Sequence, residues 1–270
     1  DFVGDSLELS KKAQSISCKI IVFCGVTFMA ETAKILSPEK KVLIPRKDAR
    51  CPMADMIDAA TLKEIRKKYP EAKVLSYVNT TAQVKAESDV CCTSANAVEV
   101  AKNMEADEII FVPDRNLANY VASQLDKNKK IIPYEGWCYV HERIRKEDIL
   151  KAKKVHPDAK IIVHPECRQE VIEEADMVAS TGGMVKLAKN LPVKKIVIGT
   201  EEGLIHRLKK ENPDKEFFTT GAALICKSMK LTRLEDVYIS LKEEKYEVAV
   251  EKDVLKRAKD ALERMFEYTG

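Results

Sequence analysis

The chain has 270 residues, 45% of them apolar and 33% charged, with a formal net charge of +3. That length allows one large domain or two to three small ones. Both signs of charge are interspersed without a basic tail or stripe, so nucleic acid is not an expected partner. The abundance of Lys and Glu fits a soluble protein and is a pattern met in thermophilic ones. The longest apolar run, "IIVFCGVTFMA" at 20–30, is too short to span a bilayer and lies too far along for a signal peptide, so no membrane association is expected.

In chain order, the run "KIIVF" predicts a first strand, "FMAETAKIL" a helix and "KVLI" a second strand. The same order of helix, turn and β-branched strand recurs in "SANAVEVAKNMEADEIIFVP" and "GGMVKLAKNLPVKKIVIG". Each copy carries an Ala-Lys pair, namely Ala33-Lys34, Ala101-Lys102 and Ala188-Lys189. A second repeat matches "KKYPEAKVLSYVNT" to "KVHPDAKIIVHPEC", and "NPDKEFF" is a weaker third copy. In that register Tyr77 corresponds to His164, Asn79 to Glu166 and Thr93 to Ser180. Continuous apolar strands alternating with helices predict parallel sheets covered on both faces, an α/β fold. The repeats predict three similar α/β units at 1–56, 57–143 and 144–231, facing one another around a common axis. The remaining segment, 232–270, ends in an amphipathic pattern with Val254, Leu255, Ala258, Ala261, Leu262 and Met265 on one face. It is expected to close back on the first unit over 250–270.

Function in such units collects at the carboxyl ends of the strands. The polar loops there are "NTTAQ", "CTSANA", "PDRN", "HPEC", "STGGM" and "GTEEG". Ser94 and Thr181 are suitable helix N-caps, and helix starts suit carboxylates and phosphates. His164 and Glu166 follow an apolar strand and form a candidate proton-transfer pair. The eight cysteines show no C-x-x-C spacing, which disfavours zinc knuckles, thioredoxin chemistry and a local ferredoxin run. Cys51 in "RCPMADM" reads as a cysteine at a helix start, Cys226 in "ALICKSMK" follows an apolar strand, and Cys138 stands in the loop "EGWCYVHE". Each of these three belongs to a different predicted unit. For any one of them a packed thiol is an adequate reading. Cys18, Cys24 and Cys91 look structural, whereas Cys92 and Cys167 lie beside the expected site.

Taken together, "GDSLELSKKA", "FMAETAKIL", "CPMADM", "YVNTTAQVKAESDV", "CTSANAVEV", "PDRNLANYV", "GWCYVHE", "HPEC", "ADMVASTGGM" and "CKSMK" resemble, in order, the quinolinate synthase A family of de novo NAD biosynthesis. The resemblance implies three three-layer α-β-α units around a pseudo-threefold axis. It implies a 4Fe-4S cluster held by Cys51, Cys138 and Cys226, with one iron left open as a Lewis acid. Cys92 and Cys167 are not ligands in the family. The implied reaction condenses iminoaspartate with dihydroxyacetone phosphate to quinolinate, releasing phosphate and water. An L-aspartate-oxidising enzyme is the implied upstream partner, and a reducing cytosol the implied location. Carried over by motif, Ser6, Tyr77, Asn79, Ser94, His164, Glu166, Ser180 and Thr181 bind substrate. Acid–base work falls to His164, Glu166, Tyr77 and His141.

The chain departs from the family pattern at three places. An upstream His-Asn-Tyr segment that contributes a histidine and a tyrosine is not in this sequence. Thr27 stands where an acidic residue is usual, and Trp137 where a histidine is usual. Two competing readings therefore stand beside the condensing enzyme. One is a cluster-free homologue that binds a dicarboxylate or phosphate and is inactive for lack of that segment. The other is an electron-transfer iron–sulfur protein, disfavoured because a saturated cluster needs a fourth protein ligand.

Overall fold

Runs rich in Ile and Val form strands because branched side chains pack well on a pleated surface, and apolar residues on both faces demand cover from both sides. The computed structural model describes residues 2–269 and gives an α/β protein with three parallel sheets. The ends of the expected first and last segments, Asp1 and Gly270, lie outside the described residues. The chain divides into two compact units, one comprising residues up to 136 together with those from 227 onward, the other comprising residues 137–226.

The first unit holds two sheets. Strands β1 (Ile20–Val22) and β2 (Lys41–Leu43) pair with each other. Strands β3 (Lys73–Tyr77), β4 (Val90–Cys92), β5 (Glu108–Val112) and β6 (Lys130–Pro133) pair in the order β4-β3-β5-β6. Their helices are α1 (Ser6–Ser15), α2 (Thr27–Leu36), α3 (Ala59–Lys68), α4 (Ala82–Ala86), α5 (Ala97–Asn103) and α6 (Arg115–Gln124). The start of α1 is set by a capping box. Asp5 accepts from the amides of Leu7 and Glu8, and Glu8 accepts from the Asp5 amide.

The second unit carries one sheet, in the order β10-β9-β7-β8. Its strands are β7 (Lys160–Val163), β8 (Met177–Val178), β9 (Lys195–Gly199) and β10 (Glu216–Thr219). Its helices are α7 (Lys146–Val155), α8 (Gln169–Glu174), α9 (Thr181–Asn190) and α10 (Leu204–Glu211). Apolar clusters lie on both faces of this sheet, Ile161, Val163 and Val197 on one and Ile162, Ile196 and Ile198 on the other. Strands β7 and β9 approach closely at Gly199, where a Cβ would come 2.8 Å from Val163 Cγ1. There is thus one parallel sheet per expected repeat, and the sheets of the first two repeats share a compact unit.

The remaining helices, α11 (Leu234–Glu243) and α12 (Lys252–Glu267), belong to the first unit. The segment 232–270 returns in part to the first expected repeat, where the Ile44 amide donates to the Tyr246 carbonyl and the Val248 amide to the Val42 carbonyl. Although α12 touches α2, it lies mainly on α4 and β4, in the second expected repeat. Its apolar face buries Ala258, Ala261, Leu262 and Met265. Arg257 donates to the Ala86 carbonyl at 2.9 Å and to Glu87 at 2.7 Å, and Arg264 donates to the Asp89 carbonyl. Those carbonyls at and just beyond the end of α4 have no partner within that helix, which is why a guanidinium seats there.

Four local expectations are corrected. Helix α5 starts after Asn96, not at Ser94, because the Asn96 side chain folds back to accept from the Thr93 amide and hydroxyl. Helix α9 is capped by Ser180, which accepts from the Gly183 amide at 3.1 Å, so Thr181 becomes its first helical residue. Cys51 opens no α-helix; the chain makes a single 3-10 turn at Ala54–Met56, braced by a two-pronged Arg50–Asp55 ion pair. Cys226 follows a loop rather than a strand, since β10 ends at Thr219.

Removing the buried side chain of Leu262 in the Leu262→Ala variant is expected to lower the unfolding free energy by about 2–5 kcal/mol. Urea denaturation followed by circular dichroism measures it.

Candidate active site

In the second unit, strand register lines up the polar residues that follow each strand. Val163 pairs with Gly199 and with Val178, so His164, Thr200 and Ser180 stand near one edge of the sheet. The His164 amide donates to the Gly199 carbonyl, and the Cys167 amide donates to the His164 carbonyl, which folds "HPEC" into a tight turn. Glu166 is thereby turned inward and is 3% exposed. The 3-10 turn His141–Arg143 brings His141 to it. Arg168 holds that turn against the "HPEC" loop by donating to the Glu142 carbonyl and pairing with its carboxylate at 2.7 Å.

His141 Nδ1 lies 2.8 Å from Glu166 Oε2, a contact not aligned as a hydrogen bond, which leaves Nδ1 without a hydrogen-bond partner. The other ring nitrogen, Nε2, lies 2.9 Å from Thr200 Oγ1. The His141 and His164 rings stack with centroids 4.5 Å apart. Nδ1 of His164 accepts the Glu166 amide, so the neutral ring carries its proton on Nε2. Burial drives the His164 pKa down to about 3, against the pull of Glu166, so the ring is neutral at pH 7. Glu166 and His164 therefore do touch, and His141 completes the cluster.

Cys138 sits half-buried in the loop just before His141, and a ligand atom from each of Cys138, His141 and Glu166 lies within 4.8 Å of the others. Cys226 is half-buried at the end of the 220–226 loop. Its amide donates to Glu201 Oε1 at 3.3 Å, and the Glu202 amide donates to the Leu224 carbonyl. Both Cys138 and Cys226 pack against the core cluster around Val163 and Leu224.

In the first unit, Tyr77 pairs in register with Cys92, so Asn79 and Ser94, each two residues further on, leave the same sheet edge. Tyr77 is buried, Ser94 is half-buried, and the Asn79 Oδ1 acceptor is buried without a partner. Ser6, the first residue of α1, lines a small cavity with Phe23, Phe28, Met29 and Val78. Cys51 is half-buried. Thr27 holds the segment before it, donating from both its amide and hydroxyl to the Ala49 carbonyl.

Four polar residues escape local reading. Thr200 and Glu201 follow the apolar run of β9 and gain their roles only from the neighbouring loops. The fully buried Lys85 donates to the Thr80 carbonyl, and burial pulls its pKa down to about 8. Glu31, pushed up by burial, accepts from the Ala82 amide at 2.9 Å. The only sequence signal for Lys85 is its place on the apolar side of a short helix, beside Ala82, Val84 and Ala86.

The donor chemistry fits a thiolate-held iron–sulfur group. Cys51, Cys138 and Cys226 are half-buried loop thiols. The other buried cysteines are poor ligands. Burial pushes the Cys91 thiol up to about 12 and the Cys92 thiol well up, and Cys167 Sγ lies 3.7 Å from the Gly199 carbonyl.

The family described as quinolinate synthetase A protein matches residues 1–267. The chain belongs to that family. Similar curated proteins include a quinolinate synthase of Thermodesulfovibrio yellowstonii, 55% identical over 265 residues and covering 98% of this chain and 87% of the relative. Quinolinate synthase 1 of Methanosarcina acetivorans is also 55% identical, over 98% of this chain and 86% of its own length. A quinolinate synthase of Dehalococcoides mccartyi is 51% identical over 100% of this chain and 88% of its own. Membership makes the chain an enzyme. Among the described residues no helix is long and apolar enough to cross a membrane.

Alkylation of the native, cluster-free chain is expected to label Cys51, Cys138 and Cys226 in minutes and to leave Cys91, Cys92 and Cys167 unlabelled until denaturant is added. Mass spectrometry of digests reads the order. For His164, the unfolded ring takes up a proton near pH 6.5 and the folded ring only near 3. Its contribution to stability is therefore present above pH 6.5 and is lost as pH falls from there towards 3. Denaturation measured across that window should show a shallower acid loss for His164→Gln than for the parent.

Proposed function

We propose that the chain is a quinolinate synthase, condensing iminoaspartate with dihydroxyacetone phosphate and releasing phosphate and water. We further propose that a 4Fe-4S cluster is held by Cys51, Cys138 and Cys226. The observation that carries the reading is Cys138 beside His141 and Glu166, a metal-ligand residue set directly against an acid–base cluster. When bound, the cluster supplies a Lewis-acidic iron with an open position.

The chain's own residues supply the rest. Glu166 accepts a proton from the substrate, and His141 beside it takes up or returns that proton. His164 offers Nε2–H as a neutral donor to a developing oxyanion, and its fixed tautomer keeps that donor in place. The Asn79 Oδ1 acceptor takes an N–H or O–H of substrate, which would satisfy its buried orphan state. Tyr77, Ser94 and Ser6 contribute hydroxyls for the carboxylates and phosphate. Ser180 and Thr181, at the start of ten-residue α9, add hydroxyls where the helix dipole favours anions. The substrate is small and anionic. The reading places the enzyme in a reducing cytoplasm, downstream of an L-aspartate-oxidising enzyme.

Anaerobic reconstitution with iron and sulfide tests the reading. About four irons per chain are expected, with a visible spectrum that shifts on adding quinolinate. Cys51→Ala, Cys138→Ala and Cys226→Ala should each bring the cluster to near zero, whereas Cys92→Ala and Cys167→Ala should keep it. A cluster that survives any of the first three changes overturns the ligand assignment. Glu166→Gln should retain the cluster and lower kcat for quinolinate formation by about 10²–10⁴-fold.

A further inference from the structure

The His141–Glu166 contact poses a physical question of its own. Nε2 of His141 faces the Thr200 hydroxyl, the outer hydrogen bond typical of a metal-binding imidazole. In the tautomer protonated on Nε2, which donates to Thr200 Oγ1, the ring turns the Nδ1 lone pair towards a carboxylate oxygen 2.8 Å away. Two lone pairs at that distance repel unless a cation stands between or beside them. Nδ1 is buried and has no hydrogen-bond partner. The Cys138 sulfur completes a triangle of ligand atoms, all within 4.8 Å of one another.

We propose that in the cluster-free chain Cys138, His141 and Glu166 form a site for one thiophilic divalent cation of the zinc type. A thiolate, a neutral imidazole and a carboxylate together carry two negative charges, so a divalent ion makes the buried centre neutral. Zinc bonds of 2.0–2.3 Å imply ligand separations of about 3.3–3.8 Å, so each side chain need move by no more than about 1 Å. Binding forms Zn–S, Zn–N and Zn–O bonds and releases the thiol proton, together with any proton held between His141 and Glu166. Three protein ligands leave a fourth position for water. Because Cys138 is common to both sites, the single ion and the proposed cluster exclude each other. That competition rests on the proposed function; the ion site itself does not.

Cobalt(II) is the probe. The full chain, freed of metal by chelator under anaerobic conditions, should bind one cobalt with visible ligand-field bands and a thiolate-to-cobalt charge-transfer band, and zinc should displace it. Cys138→Ser should abolish the charge-transfer band. His141→Gln and Glu166→Gln should each weaken cobalt binding at least about tenfold. Cys51→Ala and Cys226→Ala should retain both band and affinity, which separates this site from the three-cysteine site. Circular dichroism identifies any variant that fails to fold, and Thr200→Val, which removes only the outer hydrogen bond, then provides a milder weakening. The proposal is overturned if the parent chain binds no stoichiometric cobalt, if the band needs Cys51 or Cys226, or if His141→Gln binds as tightly as the parent. Parallel iron–sulfide loading separates the two readings. A parent chain that loads no cluster yet binds cobalt this way refutes only the cluster. One equivalent of zinc should slow loading in the parent and not in His141→Gln.

Discussion

A carboxylate buried to the depth of Glu166 is costly when charged unless a positive or hydrogen-bonding partner is built beside it. The second unit sets His141 Nδ1 2.8 Å from that carboxylate, and Thr200 Oγ1 lies 2.9 Å from the other ring nitrogen of His141. Each of these residues is delivered by a different backbone segment. The turn after β7 supplies Glu166, the end of β9 supplies Thr200, and a single 3-10 turn supplies His141. The parallel sheet brings the first two together, since β7 and β9 end on the same edge, and Arg168 holds the 3-10 turn against them through Glu142. The close approach of β7 and β9 at Gly199 is part of the same constraint, because the Gly199 carbonyl accepts the His164 amide.

His164 shows how packing and burial set the protonation state of one position. Its ring is stacked on His141, and its Nδ1 is occupied by the Glu166 amide. The amide contact fixes the tautomer, the stack fixes the ring's position, and burial keeps the ring neutral. A neutral donor fixed in orientation loses little reorganisation energy when charge develops opposite it. The first unit uses the opposite device at Lys85, a cation held in apolar surroundings near Glu31 and Phe28.

Much of this was legible in the chain itself. The apolar runs ending at Val112, Val163 and Gly199 became strands, and their alternation with helices announced an α/β fold with parallel sheets. Tyr77, Asn79, His164 and Glu166 fell at strand ends because a buried strand must stop where polar residues begin. Helix starts were less legible. Asn96 and Ser180 won over Ser94 and Thr181 because capping depends on backbone angles one residue apart. Thr200 and Glu201 carry no local signal, since their partners lie on other loops, and Lys85 carries only its place on the apolar side of a short helix. The docking of α12 on α4 was equally hidden, because an apolar stripe does not name the surface it will cover.

Histidine-selective nitrogen-15 NMR of the cluster-free chain tests the account most directly. The sequence has only four histidines, so single substitutions assign every signal. The buried arrangement predicts that His164 gives one neutral signal set, protonated on Nε2, that stays unchanged from pH 8 down to about 5. A His164 signal that titrates near the ordinary histidine pKa of about 6.5, or one protonated on Nδ1, would contradict it.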